Sequence, residues 1–217
     1  MNSKKQISES LFIGILLSLA GGFLDAYTYL VRGAVFANAQ TGNMVLMGIY
    51  FANSNFLYAF RYFIPVLAFI LGVILSEAIK GKYKASPSIH WRQITVCIEL
   101  IVIIIVAFLP KNDYDMLANV LVSFVCSMQV QSFRKLNGNT YATTMCTGNL
   151  RSATEEIINY HKTKDTAALK ASLQYFIIIG IFIVGALLGG LLCGYFGIYT
   201  ILFAAAILFI ALLLMFL

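Results

Sequence analysis

Thr41-Gly42-Asn43-Met44-Val45-Leu46-Met47 and Thr147-Gly148-Asn149-Leu150-Arg151 open two short helical stretches that begin with the same triplet, 106 residues apart. Sixteen residues before each threonine, in the second half of an apolar helix, stands one polar side chain: Asp25 in the first copy and Gln131 in the second. How these two stretches are read decides the fold. Each segment, 33–50 and 140–160, is nearly long enough to cross a bilayer. The second carries Arg151, Glu155 and Glu156, and each charge at a helix centre costs about 2.5–3.5 kcal/mol on insertion scales. Three charges within six residues argue against a span. The first piece, Thr41 to Phe51, is eleven residues, roughly 16 Å of helix and about half the hydrocarbon thickness. Both therefore read as re-entrant or half-length elements, tolerated at membrane depth only when buried in protein or lining a wet cavity.

Working outward, the rest of the chain is apolar in long blocks. Of 217 residues, 60% are hydrophobic and 11% charged, against roughly 25% charged in soluble domains. Six blocks are long enough to span: about Glu9–Val31, Leu57–Ile79 (with Pro65 as an expected kink), Trp91–Leu109, Tyr114–Phe133, Ala167–Cys193 and Ile198–Leu217. Lys4, Lys5 and the run Leu11–Leu19 resemble a signal peptide, but apolar sequence continues to Val31, so an uncleaved span is expected.

The net charge of +6 lies in the loops. With the N-terminus inside, the inner segments hold Lys4, Lys5, Lys80, Lys82, Lys84, Arg92, Arg134, Lys135, Arg151, Lys162, Lys164 and Lys170, and the outer ones only Arg32, Arg61 and Lys111. This bias predicts an integral plasma-membrane protein with both termini cytoplasmic, and it accounts for the basic excess without nucleic-acid binding.

Residues 25, 41, 42 and 43 map onto 131, 147, 148 and 149 by adding 106, and Phe69-Ile70-Leu71-Gly72 maps onto Phe182-Ile183-Val184-Gly185 by adding 113. The fold class expected is an all-α integral membrane protein, a single transmembrane domain over 1–217. Repeat 1 spans about 9–110 and repeat 2 about 114–217. Each repeat holds three spans, with the half-length helix after its first span. Three is odd, so the second repeat is inverted, the arrangement from which many transporters build a midplane site.

The patterns Ala20-Gly21-Gly22-Phe23-Leu24-Asp25-Ala26, Phe36 with Thr41-Gly42-Asn43 and Gly48, Met128-Gln129-Val130-Gln131, and Thr144 with Thr147-Gly148 resemble the YoaK-like membrane proteins over essentially the whole chain. The resemblance implies six helices and a membrane location. It implies no substrate, since that family's activity is not established.

The expected solute-binding set is Asp25, Asn38, Thr41, Gly42, Asn43, Gln131, Thr144, Thr147, Gly148 and Asn149. Helix N-termini present unpaired amides and a positive dipole end, which suits a small polar or anionic solute. Thr41, Gly42 and Asn43, with their second copies, equally suit capping and close approach. Asp25 and Glu99 are intramembrane carboxylates, costly unless paired or hydrated, and are the proton-coupling candidates. Arg32, two turns after Asp25 on the same face, offers Asp25 an ion pair instead. Glu99 has an equally open structural reading, a hydrogen bond to a neighbouring helix.

Cys97, Cys126, Cys146 and Cys193 form no CxxC pair, and His90 and His161 lack ligand spacing, so no metal and no cofactor is expected. There is no GxSxG, HExxH or P-loop, and no enzymatic activity is expected. The leading function is a small transporter or channel, with the bilayer and an unidentified small solute as partners; six spans of modest length often assemble as a homodimer, but the sequence does not show an interface. The alternatives are a non-transporting scaffold or lipid-binding membrane protein and, third, an intramembrane enzyme built on Asp25.

Overall fold

The computed structural model describes residues 7–86 and 90–216. Lys4, Lys5 and Leu217, used above in reading charge and helix ends, lie outside the described residues. A short 3-10 turn, Ile7–Glu9, precedes α1 (Leu11–Val31). Then come α2 (Gln40–Ala52), α3 (Phe56–Tyr83), α4 (Trp91–Ala107), α5 (Asp115–Ser132), α6 (Cys146–Thr163), α7 (Thr166–Phe196), a 3-10 turn at Gly197–Thr200, and α8 (Ile201–Leu214). The break after α5 is not simply polar loop: Lys135–Leu136 (β1) and Asn139–Thr140 (β2) pair as a two-stranded antiparallel ladder.

The helices begin where side chains supply the missing amide partners. Ser10 accepts from Ile13 N–H, Asn55 from Tyr58 N–H and Asp165 from Ala167 N–H, each satisfying an otherwise unpaired donor. His90 and Gln93 form a reciprocal capping box at the start of α4. Pro65 sits inside α3 without ending it.

Leu11–Val31, Phe56–Tyr83 and the run Thr166–Leu214 are long and apolar enough to cross a membrane. The last run is divided between α7 and α8 by Gly197, whose φ of 52° is open to glycine at little steric cost. The packing shows which helices face outward. α1 is buried along most of its length, whereas Leu67, Leu71 and Ile74 of α3, Ile101, Ile104 and Ile105 of α4, and Leu187 and Leu191 of α7 are exposed. Apolar surface on this scale, covering several helices, is a lipid-facing surface.

α1 packs on α7 and α8, α3 on α5, and α4 on α5 and α8, while α2 lies on α3 and α6 on α7. The core joins Leu17, Phe23, Leu24, Ile103, Val122, Val125 and Leu208 from four of these helices. Glycines set the closest crossings. A Cβ on Gly22 would strike the carbonyl of Phe182, one on Gly185 the carbonyl of Leu19, and one on Gly72 the carbonyl of Phe124. Small residues let helix backbones approach this closely in membranes. Gly72 and Gly185 are the two glycines related by the 113-residue offset.

Two buried arginines tie the ends of the bundle. Arg32 is fully buried, and all five of its N–H donors are used. Nε donates to Tyr27 Oη at 2.8 Å, Nη1 to Pro110 O and Asp115 Oδ1, and Nη2 to Val106 O and Leu109 O. It thereby caps the end of α4 and holds the start of α5. At the opposite end Arg92 donates to Ser132 O at 2.9 Å, to Ser8 Oγ at 2.8 Å and to Glu9 Oε1 at 2.9 Å. The start of α1 therefore lies by the end of α5, and the end of α1 by the start of α5, so these two helices run antiparallel. The ion pair suggested between Asp25 and Arg32 does not form. Arg32 lies past the last turn of α1, where its backbone is no longer helical, and its side chain turns to α4 and α5.

Candidate solute cavity

Residues 32–39 carry the chain out of α1 and back over its last turns. Asn38 N–H donates to Asp25 Oδ1 at 2.7 Å, and Asn38 Nδ2 donates to Gly21 O at 3.1 Å. The backbone amides of Ala37 and Ala39 flank the same carboxylate. Asp25 therefore sits at the entry to α2, where unpaired amides and the helix dipole favour a negative group.

Asn43 closes this turn. Phe36 N–H donates to Asn43 Oδ1 at 3.1 Å, and Asn43 Nδ2 donates to Phe36 O at 2.8 Å. The same clasp recurs in the second copy. Ala142 N–H donates to Asn149 Oδ1 at 3.1 Å, and Asn149 Nδ2 to Ala142 O at 2.6 Å. Residues 36 and 142 are also 106 apart. Each side-chain amide imitates a strand partner, giving one acceptor and one donor to a loop residue seven positions earlier. Aspartate would lose the donor. The identity of this third residue follows from the clasp.

Between the two turns lies a cavity of 760 Å³. Asp25, Asn38, Gln40 and Thr41 reach it from the first copy, and Thr144, Cys146, Thr147 and Gly148 from the second. Its apolar walls include Tyr29, Phe36, Met44, Phe69 and Phe182. A mostly apolar pocket with a few convergent polar groups is the usual form of a small-molecule site. Thr144 Oγ1 is buried with no hydrogen-bond partner among the described residues.

The structure thus brings together Asp25, Asn38, Thr41, Thr144, Thr147 and Gly148. It puts the other expected residues elsewhere. Gly42 is covered by the Phe36 ring, at 3.2 Å from an added Cβ. Asn43 and Asn149 are spent on the clasps. Gln131 does not reach the cavity; it donates to Glu77 on the bundle surface, beside a separate 440 Å³ recess shared with Asn149. Glu99 is also outside the cavity, fully buried on α4 with both carboxylate oxygens unpartnered among the described residues. Phe69 and Phe182 were quoted above only as repeat markers, yet both are cavity walls. The 113-residue offset that related them was the available signal.

Helical packing, outward apolar faces and a mostly apolar cavity with a few convergent polar groups define an all-helical membrane protein. The chain belongs to the family described as Protein of unknown function (DUF1275), whose pattern it matches over residues 13–214. It is 29% identical over 181 residues to the UPF0700 transmembrane protein YoaK of Bacillus subtilis (strain 168), covering 80% of this chain and 79% of that protein. No solved structure matches it.

Proposed function

We propose that the chain is a small transporter or channel for a small polar or anionic solute, bound between the two Thr-Gly-Asn turns. In this reading six spans form two inverted three-span repeats in the plasma membrane, with both termini cytoplasmic. The observation that carries the proposal is the single cavity reached by Asp25 and by the starts of both α2 and α6.

The antiparallel course of α1 and α5 supports the inverted arrangement, as does the reciprocal packing of α1 on α7 and α3 on α5. α4 has 17 residues and α5 has 18, or about 26 Å each, close to the roughly 30 Å of a hydrocarbon core. The start of α6 offers a polar or anionic solute head unpaired amides with the hydroxyls of Thr144 and Thr147, while Asp25 supplies a proton-exchanging group across the cavity. Glu99 is a second proton-binding candidate. A scaffold whose turns only pack would leave no such cavity between them.

The test begins with a solute screen by thermal shift on purified protein, since a ligand that binds only the folded state raises its stability. Flux of the hit is then measured in proteoliposomes. Asp25→Asn is expected to change the pH dependence of flux. Unchanged flux across the pH range removes Asp25 from the mechanism.

A further inference from the structure

A second recess opens at the end of the bundle held by Arg92. It has a volume of 480 Å³ and shares no residue with the solute cavity. Five cationic side chains line it, Lys80, Lys84, Arg92, Arg134 and Lys135, against the carboxylate of Glu9. They come from the end of α3, the start of α4, and the end of α5 with β1.

Two of the five cations are committed. Arg92, whose side chain is 9% exposed, pairs with Glu9, and Lys80 pairs with Glu77. Lys84, Arg134 and Lys135 form no ion pair among the described residues. Trp91 forms part of the wall, with Lys80 Nζ 5.8 Å and the Arg92 guanidinium 5.1 Å from its ring centre. His90 adds no charge near neutral pH: burial, then the charge of Arg92, hold it below its usual 6.5.

We propose that this recess binds a phosphate-bearing anion, presented as the headgroup of an anionic phospholipid. Three uncommitted cations around a buried, fixed arginine suit a phosphate, which accepts several charge-assisted bonds at once. Basic pockets between transmembrane helices bind such headgroups, and tryptophan favours the same interfacial depth. The lipid source follows from the neighbouring surface. Below Lys84, which caps α3, the exposed side chains of Ile74, Leu71 and Leu67 form an apolar stripe along which acyl chains can lie.

Full-length protein in detergent is titrated with phosphatidylglycerol and with phosphatidylcholine, and bound lipid is read by native mass spectrometry. Phosphatidylglycerol should bind more tightly, and its affinity should fall as salt is raised. Removing the uncommitted charges with Lys84→Gln, Arg134→Gln and Lys135→Gln should weaken it about fivefold per charge and leave phosphatidylcholine unchanged. Competition by soluble glycerol phosphate supports the phosphate site and assigns the free ester as its source. Its failure to compete, with the lipid preference intact, supports the site with the headgroup as source. Equal affinity for the two lipids, salt-insensitive binding by the unmodified protein, or wild-type affinity in a triple variant that melts normally would each overturn the proposal.

Discussion

The two asparagine clasps are alike in geometry and unlike in what they enclose. Asn43 and Asn149 each grip the backbone seven residues upstream with one donated and one accepted bond. In the first copy the closed turn holds a carboxylate, Asp25, against the amides entering α2. In the second, the positional counterpart Gln131 points away to Glu77, and the start of α6 faces the cavity with Thr144 unpartnered among the described residues. The short helices differ as well. α2 continues into apolar Met44 and Val45, while α6 carries Arg151, paired with Glu155 on an exposed face. The repeat thus keeps the device that closes the backbone and varies the charge it presents. A cavity between two such turns has one ionisable side and one side of open helix amides.

The largest expected effect breaks the likeness at the ends of the bundle. Glu9 and Asp115 are 106 residues apart, and each receives a buried arginine. Arg32→Gln leaves Asp115 and several carbonyls uncompensated in a fully buried site, and should cost about 3–5 kcal/mol in denaturant unfolding of the detergent-solubilised protein. Arg92→Gln should cost less, because the side chain of Glu9 is 27% exposed and water can take over part of its solvation. Equal losses would mean that the two ends are held alike.

Next come the clasps. Asn43→Ala and Asn149→Ala each strand a loop N–H and C=O, at a cost of about 1–3 kcal/mol. Similar losses in the same unfolding experiment support two equivalent structural devices. If the Asn149 variant alone keeps full stability, the second clasp is not holding its loop.

The smallest effect concerns His90, which has no counterpart in the second half. Its Nδ1 accepts from Arg92 N–H at 3.3 Å, so the cap requires the neutral ring. Its folded pKa lies below the unfolded value, so the unfolded state binds the proton more readily. The contribution is present above about pH 6.5 and is lost as pH falls through the folded pKa. The melting temperature should decline modestly from pH 7 to pH 5, and His90→Asn, a neutral cap, should flatten that decline.

The helix positions were legible because apolar block length and turn residues report them directly, and the described boundaries differ by a few residues. The 106-residue offset pointed to Thr41 and Thr147 as partners, and both line the same cavity. The role of Asn43 and Asn149 was not: an asparagine that binds solute and one that binds its own loop look the same in sequence, and the distinction rests on where residues 36 and 142 fold back. Arg32 was misassigned because an i, i+7 spacing places residues on one face only while the helix continues. Its partner Asp115 is 83 residues away. Gln131 followed Asp25 by register, but α5 turns that position toward Glu77 on α3.

The most direct test is a crosslink across the cavity in a background without native cysteines. Thr41→Cys and Thr147→Cys are treated together with a short bifunctional thiosulfonate in native membranes, and Thr41→Cys with Gln131→Cys serves as the comparison. Positions 41 and 147 should crosslink efficiently, with suppression by any solute that scores in the thermal-shift screen, and positions 41 and 131 should crosslink little. Absence of the 41–147 product, or equal yields for the two pairs, would contradict a cavity shared by the two copies.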